Sequence, residues 1–271
     1  MGKDTKIEWC DSTINPTSGC GGCELWTDKV RTCYAGIMHE NRLAKTLPDL
    51  YDRDFKVVRI IRGRMNQSAH WKDMKGVNRS EKPWLNDMPR HIFVGDMSDV
   101  LSEGISDRYF IEEIIQNIKS DHGRQHMYII LTKRPKRLAK ISQYIGGLPD
   151  NVIAMTTVTD QNTLRKRLPA LMNVDCRFRG LSVEPMLEQI SISMSEGSYF
   201  NCLHNNVDWV ICGGESGPNA RPMNPEWAID LKRQCRLLAI PFFMKQLGGT
   251  SDKGGDFNNF PSELQVREMP E

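Results

Sequence analysis

The chain has little that would mark a membrane or secreted protein. No apolar run in its 271 residues approaches membrane-spanning length. The opening MGKDTKIEWC has neither a signal-peptide core nor a cleavage pattern, and Lys6 stands where a myristoylation pattern needs Ser or Thr. A cytoplasmic protein is expected. Net charge is nearly absent, at +2, so the global balance does not announce nucleic acid. The six histidines form no HExxH and no H-x-E paired with a later CxxC, which leaves hydrolytic zinc chemistry without support. There is no GxSxG elbow. The glycine-rich Gly213-Gly-Glu-Ser-Gly lacks both the Lys-Ser/Thr pair of a phosphate loop and the dinucleotide spacing. No short repeat and no long low-complexity segment appears.

What is present suits a folded α/β protein. With 39% hydrophobic and 26% charged residues, the chain can bury the core of one large domain or two small ones. From residue 91 onward short β-rich runs alternate with helical patterns. The runs are His91-Ile-Phe-Val-Gly, Met127-Tyr-Ile-Ile-Leu, Val152-Ile-Ala-Met-Thr-Thr, Phe178-Arg-Gly-Leu-Ser-Val, Trp209-Val-Ile-Cys and Pro241-Phe-Phe-Met. Most are apolar on both faces, as parallel strands covered by helices are. Ile7-Glu-Trp is expected as a first strand.

Four helices are expected between the runs. Ser106 caps one with Phe110, Ile111, Ile114, Ile115 and Ile118 on one face. Thr132 and Pro135 open another, with a stripe of Leu138, Ile141 and Ile145. Asp160 precedes a third carrying Leu164 and Leu168, which Pro169 should end or kink. Asn224 and Pro225 start the fourth, with Ala228, Leu231, Cys235 and Leu238 facing inward.

The rhythm predicts a partial or irregular TIM-type (βα) barrel of about six or seven parallel strands over residues 1–248. Residues 40–90 would be an inserted helical and basic segment, and residues 249–271 a loosely held C-terminal tail. A doubly wound open sheet is the alternative.

In such folds the chemistry sits at the carboxyl ends of the strands. Those positions hold Gly95, Asp96, Met97, Ser98 and Asp99, then Thr132, Lys133 and Arg134, then Thr157 and Thr159. Glu184, the 213–217 loop with Glu215, and Lys245-Gln246 follow. Glu184, Glu215 and Lys245 are the candidate catalytic side chains. Lys133, Arg134, Lys136 and Arg137 crowd a helix start, where the dipole disfavours cations by roughly 0.3–1 kcal/mol each. A bound anion would relieve that conflict; a solvated basic patch is the other reading.

The most informative residues are Cys20, Cys23 and Cys33, three of eight cysteines, gathered within fourteen positions. Three readings are open. A structural zinc could recruit Cys10 as its fourth ligand. The Cys20/Cys23 pair could be an incidental or redox CxxC. Three thiolates could hold an iron–sulfur cube with one iron open. Cys176, Cys202, Cys212 and Cys235 are scattered and read as core residues or bystanders.

Taken together, Ile7-Glu-Trp, Asn15-Pro16, Ser18-Gly-Cys, Cys33-Tyr-Ala, Leu131-Thr-Lys-Arg-Pro, Leu181-Ser-Val-Glu-Pro, Gly213-Gly-Glu-Ser-Gly and Lys245-Gln form a pattern that resembles a known family. This is the phage-associated three-cysteine family, within or close to the radical S-adenosylmethionine superfamily and distantly similar to spore photoproduct lyase. The resemblance runs from residue 6 to about residue 248.

It implies a [4Fe–4S] cluster on Cys20, Cys23 and Cys33, whose open iron binds S-adenosyl-L-methionine. It also implies an external electron donor, reductive cleavage to a deoxyadenosyl radical, and hydrogen abstraction from substrate. Gly95 to Ser98 stand where the superfamily binds the methionyl amine, with Asp96 as acceptor. Thr132, Lys133 and Arg134 are further cofactor-binding candidates. The superfamily most often spaces its cysteines C-x3-C-x2-C. Here the spacing is C-x2-C-x9-C, and the nine residues must loop out.

For substrate the expectation is a nucleic-acid base, a modified thymine of phage DNA, in an isomerase-type rearrangement or modification. Besides the resemblance, residues 53–90 carry ten Lys or Arg against four Asp or Glu, with Trp71 and Trp84 interleaved. A zinc-stabilised nucleic-acid- or partner-binding module without turnover, and a radical enzyme acting on a peptide or small metabolite, are the alternatives.

Overall fold

The computed structural model describes residues 3–192 and 206–270; Cys202 lies outside them. The chain divides into two compact units. These are Met1–Ile153 with Asp175–Arg177, and Ala154–Val174 with Phe178–Glu271.

The first unit contains β1 (Ser12–Ile14), the short β2 (Thr17–Ser18) and a helical stretch α1 over residues 34–46. These are followed by β3 (Arg59–Ile60), α2 (Arg64–Ala69), β4 (His91–Val94), α3 over 107–119, β5 (Met127–Thr132) and α4 (Pro135–Tyr144). β1 pairs in parallel with β4 (Ser12 opposite Ile92), and β4 with β5 (His91 opposite Met127). Every residue of β4 is buried, as a parallel strand covered on both faces requires. Ser106 caps α3 as expected, its Oγ accepting from Tyr109 N at 3.1 Å.

The first strand is Ser12–Ile14 and not Ile7–Trp9. The carbonyls of Thr5, Ile7 and Cys10 turn instead to the Lys82 ammonium, at 2.7, 2.8 and 2.6 Å. Trp9 is buried against Phe93.

The inserted segment folds back through antiparallel pairing of β2 with β3. Its cations largely serve the fold. Arg79 forms a buried pair with Asp11 at 2.7 Å, and Arg90 donates to Lys72 O, Lys3 O and Ser12 Oγ. Trp71 is buried beneath the Arg90 guanidinium, and the Trp84 indole donates to Glu8 O at 2.9 Å. While Arg53, Arg62, Lys72 and Lys75 stay exposed, the expected array of free cations and stacking tryptophans is corrected for Arg79, Lys82, Arg90, Trp71 and Trp84. These groups satisfy buried backbone oxygens and a buried carboxylate, which would otherwise cost free energy.

The second unit is built on β6 (Val152–Val158, its first two residues in the first unit), α5 (Gln161–Met172), β7 (Phe178–Val183), β8 (Trp209–Gly213), α6 (Pro225–Leu237) and β9 (Phe242–Gln246). β7 pairs in parallel with β8, and β8 with β9. Asp160 and Thr163 form a reciprocal capping box at α5, and Asn224 caps α6 ahead of Pro225. Pro169 does not end α5. Leu168, Ala170 and Leu171 are buried, and their packing holds the last turn through Met172.

The tail is not loosely held. Met244 N donates to Val266 O, Glu268 N to Phe242 O, and the Trp209 indole to Glu268 O. Phe260, Leu264 and Met269 are buried, and the Arg267 guanidinium lies over the rings of Phe243, Phe257 and Phe260. Residues 266–268 thus cover an edge that β9 would otherwise expose.

The seven principal strands follow the order β1-β4-β5-β6-β7-β8-β9, and each pairing among them with a described register is parallel. This is the expected α/β fold, consistent with a partial TIM-type barrel.

Candidate functional site

The cysteine loop is shaped by glycines and by backbone pairing. Gly19 has φ +76°, and a Cβ there would lie 2.1 Å from Val57 O, so only glycine fits. Cys20 N then donates to Phe55 O at 2.8 Å, and Gly21 N to Ser102 Oγ at 2.7 Å. Cys23 and Trp26 pair across a tight turn, and Trp26 bridges to Arg31. Thr32 N and Cys33 N both donate to Leu25 O at 3.0 Å. The nine residues between Cys23 and Cys33 therefore loop out, as the spacing demands. Cys33 returns to within two residues of Cys23 and stands at the start of α1. Trp26 anchors the excursion, buried edge-on to Phe55 and flush against Gly36, where a Cβ would meet the indole at 2.6 Å.

Two cations at the end of β5 address this loop. Arg134 donates to Asp99 Oδ2 at 2.9 Å and to Gly22 O at 3.1 Å, and its Nη1 lies 3.9 Å from Cys20 Sγ. Asp99 is itself fixed by Thr132 Oγ1, Lys133 N and Leu101 N, at 2.9–3.1 Å. Thr132 is buried and committed to this carboxylate. Lys133 has no side-chain partner among the described residues. Burial pushes the Cys23 and Cys33 thiols up, while the Lys133 charge pulls both down. The crowding of cations at the start of α4 is relieved by the protein's own carboxylates. Asp99 serves Arg134, and Asp107 serves Arg137 at 2.8 Å through its Nε.

Among the described residues no group of three or more His, Cys, Asp or Glu side chains is arranged to hold a metal ion. The thiols of Cys20, Cys23 and Cys33 share one loop and two cations without a preformed coordination sphere. Their fit to an iron–sulfur group lies in donor chemistry and charge. The Trp26 indole N–H, buried without an acceptor, is a donor that a sulfide or thiolate would satisfy. Cys10 is buried at the amino end of β1, whereas the three thiols follow its carboxyl end.

Gly95 to Ser98 form a turn at the end of β4, tied to β1. Gly95 takes φ +86° and donates to Ile14 O. Asn15 Nδ2 donates to Asp96 Oδ1 at 2.6 Å while Asn15 Oδ1 accepts from Met97 N. Thr17 Oγ1 and Ser98 Oγ lie 2.7 Å apart. Burial pushes the Asp96 carboxyl above its ordinary range, against the pull of hydrogen bonds from Asn15 and Thr13. Asn15 and Asp99, which the sequence marks only as part of the Asn15-Pro16 motif and as a strand-end residue, are the groups that brace this site.

In the second unit the candidates form two separate ion pairs. Lys245 pairs with Glu184, both largely buried. Arg221 grips Glu215 through its backbone N (2.9 Å), Nε (2.8 Å) and Nη2 (2.7 Å). Burial would raise the Glu215 carboxyl, but these three contacts hold it below its ordinary range. The β8–β9 register passes from Cys212 opposite Met244 to Gly213 opposite Gln246, which leaves Lys245 as the extra residue of a β-bulge. Bulges re-aim a side chain, and this one turns Lys245 out of the ladder.

No curated protein matches the chain. The crystal structure of the EAL domain of Mycobacterium smegmatis DcpA is similar at 17% identity and a TM-score of 0.23, over 49% of this chain and 60% of that one. So slight a likeness bears on neither fold nor function. A family model described as "Protein of unknown function (DUF5131)" matches residues 4–267, and by that match the chain belongs to this family.

Proposed function

We propose that the chain is a radical S-adenosylmethionine enzyme with a [4Fe–4S] cluster on Cys20, Cys23 and Cys33. Its proposed substrate is a nucleic-acid base, a modified thymine of phage DNA, and its reaction an isomerase-type rearrangement or modification. One observation carries the reading. Three thiols lie on one looped-out segment beyond parallel strand β1, with Arg134 against the first and the Lys133 charge acting on the other two. A [4Fe–4S] core on three thiolates has a net negative charge, which two adjacent cations complement.

When bound, the cluster and S-adenosyl-L-methionine supply a deoxyadenosyl radical for hydrogen abstraction, given one electron from an external donor. The chain's own residues hold and orient. Lys133, with its ammonium uncommitted, suits a carboxylate. Asp96, half-buried and held by Asn15, suits an ammonium, whose charge would draw its raised pKa back down. Gly95 gives that turn its left-handed bend, and Met97 and Ser98 fasten it to Asn15 and to Thr17 of β2. Glu184, Lys245 and Glu215 are the candidate catalytic side chains of the second unit.

The DNA assignment rests on the family resemblance and on exposed Arg53, Arg62, Lys72 and Lys75. The test is anaerobic purification with iron and sulfide analysis, then incubation with reductant and S-adenosylmethionine, scoring deoxyadenosine with and without DNA. About four irons per chain and DNA-stimulated, salt-sensitive turnover are expected. A colourless protein with one zinc would overturn the cluster. Deoxyadenosine release indifferent to DNA would move the substrate to a peptide or small metabolite.

A further inference from the structure

Arg134 lies between two parts of the first unit that are far apart in sequence. One nitrogen, Nη1, reaches both Asp99 Oδ2 (2.9 Å) and Cys20 Sγ (3.9 Å), and the other, Nη2, holds Gly22 O (3.1 Å). A Cβ on Gly21 would lie 3.2 Å from Nη2, so the loop passes close over the guanidinium. On the far side Asp99 accepts four donors and cannot follow if the loop moves. We infer that Arg134 is a positioning residue that seats Cys20, and with it the Cys20–Cys23 turn, for metal capture, rather than a ligand for S-adenosylmethionine.

The physical argument is one of preorganisation. Free of metal, the three thiols do not form a coordination sphere, so any metal must be gathered from ligands that begin apart. A guanidinium fixed by a buried carboxylate gives the first thiolate a set position and a charge-assisted N–H···S contact, at no further ordering cost when metal arrives. Lysine at this position would keep the charge and lose the fork that spans Gly22 O, Asp99 and Cys20. The inference rests on the reading that these cysteines bind metal, but not on which metal they bind.

The test uses reduced, metal-free protein titrated anaerobically with Co2+ alone, read by the thiolate-to-cobalt charge-transfer band. Arg134→Met should weaken Co2+ binding on the order of 10–100-fold, the usual cost of losing an outer partner of a ligand. Arg134→Lys should recover part of it, and Asp99→Asn should fall between parent and Met variant. A second readout is the midpoint potential of iron-reconstituted protein. Loss of a positive donor at Cys20 should make it more negative, by about 59 mV for each tenfold change in a one-electron equilibrium. Co2+ affinity and potential equal to the parent in Arg134→Met, or in Asp99→Asn if the Met variant does not fold, would overturn the role. If the Cys20/Cys23/Cys33 triple alanine variant binds Co2+ like the parent, the metal-site reading itself fails, whatever Arg134 does.

Discussion

Lys245 meets Glu184 across β8, above Gly213. Glu184 follows β7 and Lys245 belongs to β9, so the pair reaches across the strand between them, where a residue with a large side chain would stand in the way. The bulge that frees Lys245 from the ladder and the glycine beneath the pair are parts of one arrangement. A Cβ on Gly213 would touch Glu184 and Gln246 at 3.4–3.5 Å, an ordinary packing distance. On Gly214 it would strike Leu247 O at 2.0 Å.

These two glycines should therefore respond differently. Gly213→Ala should change stability by no more than about 0.5 kcal/mol, and Gly214→Ala should lower it by about 2 kcal/mol or more. Thermal unfolding reads the contrast, at roughly 2–4 °C per kcal/mol for a chain of this size. Equal melting temperatures for the two variants would contradict the backbone approach described.

The ion pair itself should be coupled. Glu184→Gln or Lys245→Met alone leaves a largely buried charge without its partner and should cost about 1–3 kcal/mol. The double variant should lose less than the sum of the singles by at least about 0.5 kcal/mol. Urea denaturation of the four proteins measures this, and strict additivity would mean that the two groups do not interact.

Asp96 gives a prediction with a defined sign. Its folded-state pKa lies above the ordinary value because burial disfavours the charge. Such a group contributes stability that is fully present below the unfolded carboxyl's pKa and is lost as pH rises through the raised value. Asp96→Asn keeps the acceptor for Asn15 and should stabilise the ligand-free protein at pH 7, with the gain shrinking as pH falls toward about 4. If Asp96 also binds the methionyl amine, the same variant should lose S-adenosylmethionine affinity. A variant less stable than the parent at neutral pH would contradict the assignment.

The carboxyl-terminal segment should prove integral to the second unit. Leu264 is fully buried, so Leu264→Ala should cost about 2–5 kcal/mol. Leu237, 77% exposed, should tolerate alanine within about 0.5 kcal/mol. Guanidinium midpoints distinguish the two, and equal effects would mean that the tail is not packed.

The strands from β4 onward were legible because each is a run of apolar residues buried on both faces, bounded by turn or cap residues such as Gly95, Ser106 and Asp160. β1 was hidden because it has three residues, two of them polar, while Ile7-Glu8-Trp9 offered the stronger pattern. The cysteine triad and its looped-out gap could be read from spacing alone. The partners of its cations could not. Arg134 and Asp99 stand thirty-five positions apart, and only the pairing of β4 with β5 brings them together. Lys82 and Arg79 misled for a related reason, because a cation satisfying buried carbonyls has the same one-letter code as one facing solvent. The tail's glycines and asparagines obscured the spaced Phe260, Leu264 and Met269 that fasten it.

That fastening has a bearing on how the molecule keeps to itself. β9 is the last strand in the order, and residues 266–268 occupy the backbone groups on its open side. If that short segment came away, a row of unpaired N–H and C=O groups would offer any neighbouring chain a strand to add to, so a few hydrogen bonds and the packing of Leu264 and Met269 guard against self-association as well as unfolding.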